Sequence, residues 1–216
     1  IDEDKVRDST TLEKEQTPLE LYETNTANFI WNDKGSGANA AVGIWSAGAN
    51  EGYSVPAHFA VSHYGTPTLA YILKATPKAD FDTFSPPRSY EKIWTDSGSG
   101  ADKDVAIWRA VCPAGYVALG MVATSGAYPE SPISCIKLKY TTKGSTSNWK
   151  RIWSDAGSGA DKDVIVYEAD TKDTSILSVR GMGASNHGHP AAPYFLQSKF
   201  VTYFHEKPIK KIEILC

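Results

Sequence analysis

Apolar residues along this chain fall in short runs broken by polar ones at a period of about two, with glycine-rich turns between the runs. Tyr90-Glu-Lys-Ile-Trp94 leads into a Gly-Ser-Gly turn and Asp104-Val-Ala-Ile-Trp-Arg-Ala-Val111 leads out, a pattern that predicts a β-hairpin. Tyr116-Val-Ala-Leu-Gly-Met-Val122 predicts a third strand, and Ser134-Cys-Ile-Lys-Leu-Lys-Tyr140 a fourth after a Gly/Pro loop. Leu69–Lys74 and Tyr194–Phe200 stand where that fourth strand falls in the neighbouring stretches. Glycines and β-branched residues interrupt every window that could carry a helix.

The same pattern is written three times. Trp-x-Asp-x-Gly-Ser-Gly-Ala runs over Trp31–Ala38, Trp94–Ala101 and Trp153–Ala160, each followed by an apolar run at Val42, Val105 and Val164. A second block, His58–Pro67, aligns with Gly120–Pro129 and Gly181–Pro190, and the distance from signature Trp to final Pro is 36, 35 and 37 residues. A unit this small rarely buries its own apolar face and packs against its copies. The expectation is one domain of three repeats, 19–82, 83–143 and 144–216, behind a charged arm at 1–18.

Four strands per unit predict an all-β fold of three antiparallel four-stranded sheets about a pseudo-threefold axis, a β-prism. A propeller is disfavoured because it ordinarily needs at least four blades. Lys207–Leu215 is expected to add a strand that closes the structure against the start of the chain.

With 41% hydrophobic and 22% charged residues the chain is an ordinary globular one, and no apolar run approaches the ~18 residues of a spanning helix. A net charge of -3 without a Lys/Arg cluster argues against nucleic acid as a partner. Cys112 and Cys135 sit at opposite ends of a strand-loop-strand stretch that would let neighbouring strands bring them together. A bridge between them, with Cys216 free or intermolecular, favours an extracellular setting; three reduced thiols are the alternative. The start at Ile1, with no apolar leader stretch, fits a mature chain whose leader has been removed or a trimmed one.

The signature, followed by Asp104, Val105, Trp108, Arg109, Pro113, Gly115, Tyr116, Leu119 and Gly120, resembles the vacuolar-protein-sorting-62-like family. That resemblance covers the whole repeat region. It implies a β-prism with binding rather than catalytic duties, similar to modules that associate with multivesicular-body subunits or follow pore-forming domains of the perforin type.

Candidate chemistry centres on the repeated loops. Asp33, Asp96 and Asp155 stand at the mouth of each Gly-Ser-Gly turn, where a carboxylate accepts hydrogen bonds from turn amides. Asp96, Asp102 and Asp104, and again Asp155, Asp161 and Asp163, gather three carboxylates in one loop, a set that would suit calcium. The first unit has Asn39 and Ala41 there, so the second and third units are expected to bind alike and the first to differ. Gly98, Gly100 and Asp102, with Gly157, Gly159 and Asp161, also follow the Gly-x-x-x-Asp form of jacalin-like lectins. Tyr128 is the candidate aromatic platform for a sugar, while Trp149 and Tyr64 are expected at the surface and the signature tryptophans in the core. His63, His187 and His189 lack an evident further ligand for a metal.

No nucleophile elbow, zinc-protease motif or Walker loop is present, so no enzyme activity is expected. The leading expectation is a secreted carbohydrate-binding module. The alternatives are a membrane-targeting module of a toxin or defence system that meets a lipid headgroup, and a structural, storage or pigment-carrying subunit that assembles through Cys216 or sheet edges.

Overall fold

The computed structural model describes residues 16–186 and 188–205. It is all-β, with three single-turn 3-10 segments and no α-helix among the described residues. The first unit holds β1 (Leu19–Thr24), β2 (Ala27–Asn32), β3 (Gly43–Ala47), β4 (Phe59–Val61) and β5 (Ala70–Ala75). The second holds β6 (Phe84–Ser85), β7 (Ser89–Thr95), β8 (Ala106–Val111), β9 (Tyr116–Val117), β10 (Val122–Thr124) and β11 (Cys135–Lys137). The third holds β12 (Thr141–Lys143), which lies just before the expected boundary at 144 but pairs with β17, then β13 (Trp149–Ser154), β14 (Ile165–Ala169), β15 (Ile176–Leu177), β16 (Met182–Ser185), β17 (Tyr194–Gln197) and β18 (Val201–Phe204).

Among the described residues the expected four-stranded sheets are replaced by six sheets of three strands. One set, β2-β3-β4, β7-β8-β10 and β13-β14-β16, carries the signature hairpins; the other is β18-β1-β5, β6-β11-β9 and β12-β17-β15. The stretch Tyr116–Val122, predicted as one strand, shows why. Its start pairs with β11 and its end with β8, so it crosses from one sheet to the other. Between them Met121 takes its backbone bonds from other units: its N–H donates to the Met182 carbonyl at 2.7 Å, and its carbonyl accepts from His58 N–H at 3.2 Å. Met182 N–H donates to the His58 carbonyl at 2.8 Å and closes a three-membered ring of amides, one from each unit. His58 therefore corresponds to Met121 and Met182, one residue away from the alignment expected of the second block. Ala57, Gly120 and Gly181 pack together beside this ring, so tightly that a Cβ on Gly181 would strike the Leu119 carbonyl.

All strand pairs are antiparallel except β1 with β18, which run parallel with Leu19 opposite Val201. The first and last strands among the described residues thus join the first unit to the third through one sheet. The expected closing strand at Lys207–Leu215, residues 1–15 of the arm, and Cys216 lie outside the described residues.

Each signature hairpin carries the same register shift, between Phe29 and Trp31, Lys92 and Trp94, and Arg151 and Trp153. The extra residue, Ile30, Ile93 or Ile152, leaves the ladder and packs against the same apolar cluster as its neighbouring Trp. A bulge thereby directs two successive large side chains inward, where strict alternation would expose one of them. Trp31, Trp94 and Trp153 meet pairwise edge-to-face, with centroids 6.0 to 6.3 Å apart. This is the favoured geometry for aromatic pairs, each adding about 0.5–1.5 kcal/mol beyond area burial. Around them close Val42, Val105 and Val164 with Ile44, Ile107 and Val166.

The disulfide Cys112–Cys135 is formed, tying the end of β8 to the start of β11 and so one set of sheets to the other. No helix among the described residues is long and apolar enough to cross a membrane.

Candidate functional site

The signature loops are built to hold themselves and one another. Val42, Val105 and Val164 N–H donate to Oδ1 of Asp33, Asp96 and Asp155 at 2.9, 2.8 and 2.9 Å. The serines repeat the device one step on, with Ser36, Ser99 and Ser158 Oγ accepting from Ala38, Ala101 and Ala160 N–H. These aspartates and serines are buried. A buried carboxylate that accepts an amide within its own loop is a structural part of the hairpin.

The remaining contacts cross between units in two opposed cycles. Trp31 Nε1 donates to the Lys103 carbonyl, Trp94 Nε1 to Lys162 and Trp153 Nε1 to Ala40, at 2.6, 2.6 and 2.7 Å. In return Asp102 N–H donates to the Lys34 carbonyl, Asp161 to Ser97 and Asn39 to Ala156, at 2.8, 2.8 and 2.9 Å. Ser97 Oγ also donates to Asp161 Oδ2 at 2.7 Å. The Asp102, Asp161 and Asn39 side chains lie directly over Gly35, Gly98 and Gly157 of the adjacent unit, where a Cβ would collide with them. These three glycines have φ of 85°, 80° and 90°, a second reason for glycine there.

The structure therefore distributes the sequence-selected residues over two tasks. Asp96 and Asp155 close their own hairpins, and Asp102 and Asp161 brace the joints between units. Gly98, Gly100, Gly157 and Gly159 supply the left-handed turns, with Gly100 and Gly159 at φ of 71° and 76°. Asp104 and Asp163 lie exposed. Among the described residues no group of three or more His, Cys, Asp or Glu side chains is gathered as for a metal ion. His187 lies outside the described residues, and His189 packs its ring 5.1 Å from that of Tyr167.

Tyr128 stands 55% exposed, with its ring edge-on to Trp108 at 5.4 Å and to Tyr90 at 5.8 Å. Its hydroxyl accepts from Tyr90 N–H at 2.7 Å, so the ring is anchored at its far end. Tyr64 is exposed as expected. Trp149 is buried instead, its Nε1 donating to the Ala191 carbonyl at 3.1 Å and its ring lying over Gly183, where the missing side chain makes room.

Three features escaped sequence reasoning. His58 is buried in the amide ring between the units, its Nδ1 accepting from Ala123 N–H at 3.0 Å, and burial pushes its pKa down to about 4. A cleft of about 270 Å³ opens between the second and third units. Phe81 projects fully into solvent from the turn Asp80–Thr83. There Asp80 is paired with Lys137 and Lys139 at 3.1 and 2.7 Å, which holds its carboxyl below the usual range. Only the repeat departures, His for Met and Ala for Val, mark the first two in the sequence.

No curated protein matches the chain significantly. The crystal structure of GNIP1Aa from Chromobacterium piscinae is similar over 87% of this chain, with a TM-score of 0.72 at 23% identity. The likeness is one of fold, and this chain spans 38% of that one. The family model for vacuolar protein sorting-associated protein 62 matches residues 12–187. By that match, across most of its length, the chain belongs to the vacuolar protein sorting-associated protein 62 family.

Proposed function

We propose that this chain is a non-catalytic binding module that works outside the cell, arranges its three units as a β-prism and takes carbohydrate on an exposed aromatic platform. The observation that carries the reading is Tyr128, exposed yet fixed by Tyr90 N–H and by two aromatic neighbours. A rigid ring of this kind packs against sugar C–H groups at little entropic cost. The place before the loop's proline holds His189 in the third unit and Thr66 in the first, so the second and third units carry a ring and the first does not. Asp96 and Asp155 are spent on their own hairpins, which favours this flank over the Gly-Ser-Gly-Ala-Asp segment as the place of recognition. The disulfide supports an oxidising compartment.

A glycan array with the whole chain tests this. Binding that Tyr128→Ala weakens about tenfold or more supports it; no binding at high protein concentration refutes it. A second reading, membrane attachment, is favoured by Phe81, a fully exposed aromatic at a turn tip beside Lys137 and Lys139. Vesicle co-sedimentation unaffected by sugar and abolished by Phe81→Ser would select it over the first.

A further inference from the structure

The cleft between the second and third units is walled by residues of both. Between the first and second units, Val55 packs in one cluster with Tyr90 and Ile133. Counting back three residues from the His58–Met121–Met182 ring, Val55 corresponds to Ala118 in the second unit. Counting from the signature Trp, Tyr90 corresponds to Trp149. At the second joint Ala118 lines the cleft together with Trp149, and the third unit brings the small Ala191 and Ala192 to the wall. Its lining is largely apolar, with Ala118, Ala191, Ala192 and Pro193 beside Trp149. The single charged lining group, Arg109, is half-exposed, which places it at the opening. Its partner is Glu91 at 2.5 Å, an exposed pair of the kind that contributes little and yields readily to another carboxylate.

We propose that this cleft binds one molecule of a medium-chain aliphatic carboxylate, with the chain against Ala118, Trp149 and Ala192 and the carboxylate at Arg109. At roughly 30 Å³ per water-sized group, 270 Å³ holds about nine non-hydrogen atoms, room enough for the tail of octanoate with its carboxylate outside. The site shares no residue with the Tyr128 platform and does not rest on the glycan reading.

Isothermal titration of the whole chain with hexanoate, octanoate and decanoate, below their micellar concentrations, tests the proposal. One-to-one octanoate binding is expected, weakening roughly tenfold on loss of two methylenes. Ala118→Val, which installs the first unit's residue, is expected to abolish binding while the melting temperature holds or rises. Arg109→Gln is expected to weaken octanoate several-fold and leave octanol unchanged. No octanoate binding at millimolar concentration, or binding indifferent to Ala118→Val, overturns the proposal. Phosphatidylcholine–phosphatidylglycerol vesicles separate the free acid from a bilayer lipid: vesicle binding sensitive to Ala118→Val without octanoate binding overturns the free ligand as the occupant.

Discussion

His58→Met should make this protein more resistant to acid, and the size of the effect follows from where the histidine sits. The imidazole is buried in the amide ring that joins the three units, and burial lowers its pKa from 6.5 to about 4. In the unfolded chain the histidine takes up a proton near pH 6.5, while the folded protein resists it down to about pH 4. The unfolded state thus binds more protons across that window, and stability falls as pH drops through it. A shift of this size corresponds to about 3 kcal/mol in full, with roughly 2.5 kcal/mol already lost at pH 4.5. Methionine fits because the other two units use it, and Met121 Sδ accepts from Ala184 N–H at 3.3 Å much as His58 Nδ1 accepts from Ala123. Urea unfolding of both proteins at pH 7.5 and 4.5 measures the difference. Carboxylates that destabilise both proteins at low pH cancel in the comparison. The expected result is a stability gap that widens by about 2 to 3 kcal/mol in favour of the variant at the lower pH. Parallel pH profiles would refute the reasoning, because His58 would then titrate alike folded and unfolded.

Three other outcomes follow from the same contacts. Trp153→Phe removes the donor to the Ala40 carbonyl and should cost about 1–3 kcal/mol in chemical denaturation, with the β-sheet circular dichroism retained. Replacing both Cys112 and Cys135 by Ala opens a loop of sequence separation 23 and should lower stability by about 3 kcal/mol, read from the urea midpoint at constant m. Calcium at millimolar concentration should leave the melting temperature unchanged, because Asp96 and Asp155 serve their own hairpins and Asp102 and Asp161 the joints; a rise of several degrees would restore the cation reading.

Much of the fold was legible because the repeat is local. The Trp-x-Asp-x-Gly-Ser-Gly signature encodes a hairpin whose turn, cap and inward Trp all lie within a dozen residues. The all-β class, the three signature hairpins, the buried signature tryptophans and the turn-capping aspartates follow from that spacing, and the Cys112–Cys135 bridge from the strand pattern on either side of its loop. What the chain did not announce depends on residues far apart in sequence. Tyr116–Val122 carries a strand pattern, yet it divides between two sheets because Met121 is claimed by His58 and Met182 of the other units. Asp102 and Asp161 look like ligands when read beside Asp96 and Asp155, but their amides are bound by the neighbouring unit. Trp149, unremarkable in an alternating run, is buried by Gly183 and by the joint it helps to form.

By itself, then, the sequence determined the signature hairpin and its three occurrences, since backbone turns and alternation are set by near neighbours. Only the tertiary structure decided which atoms the loops expend on each other, where His58 loses its water and where the cleft forms. Those outcomes depend on how three similar units meet, and Val55 against Ala118 acquires meaning only at that meeting.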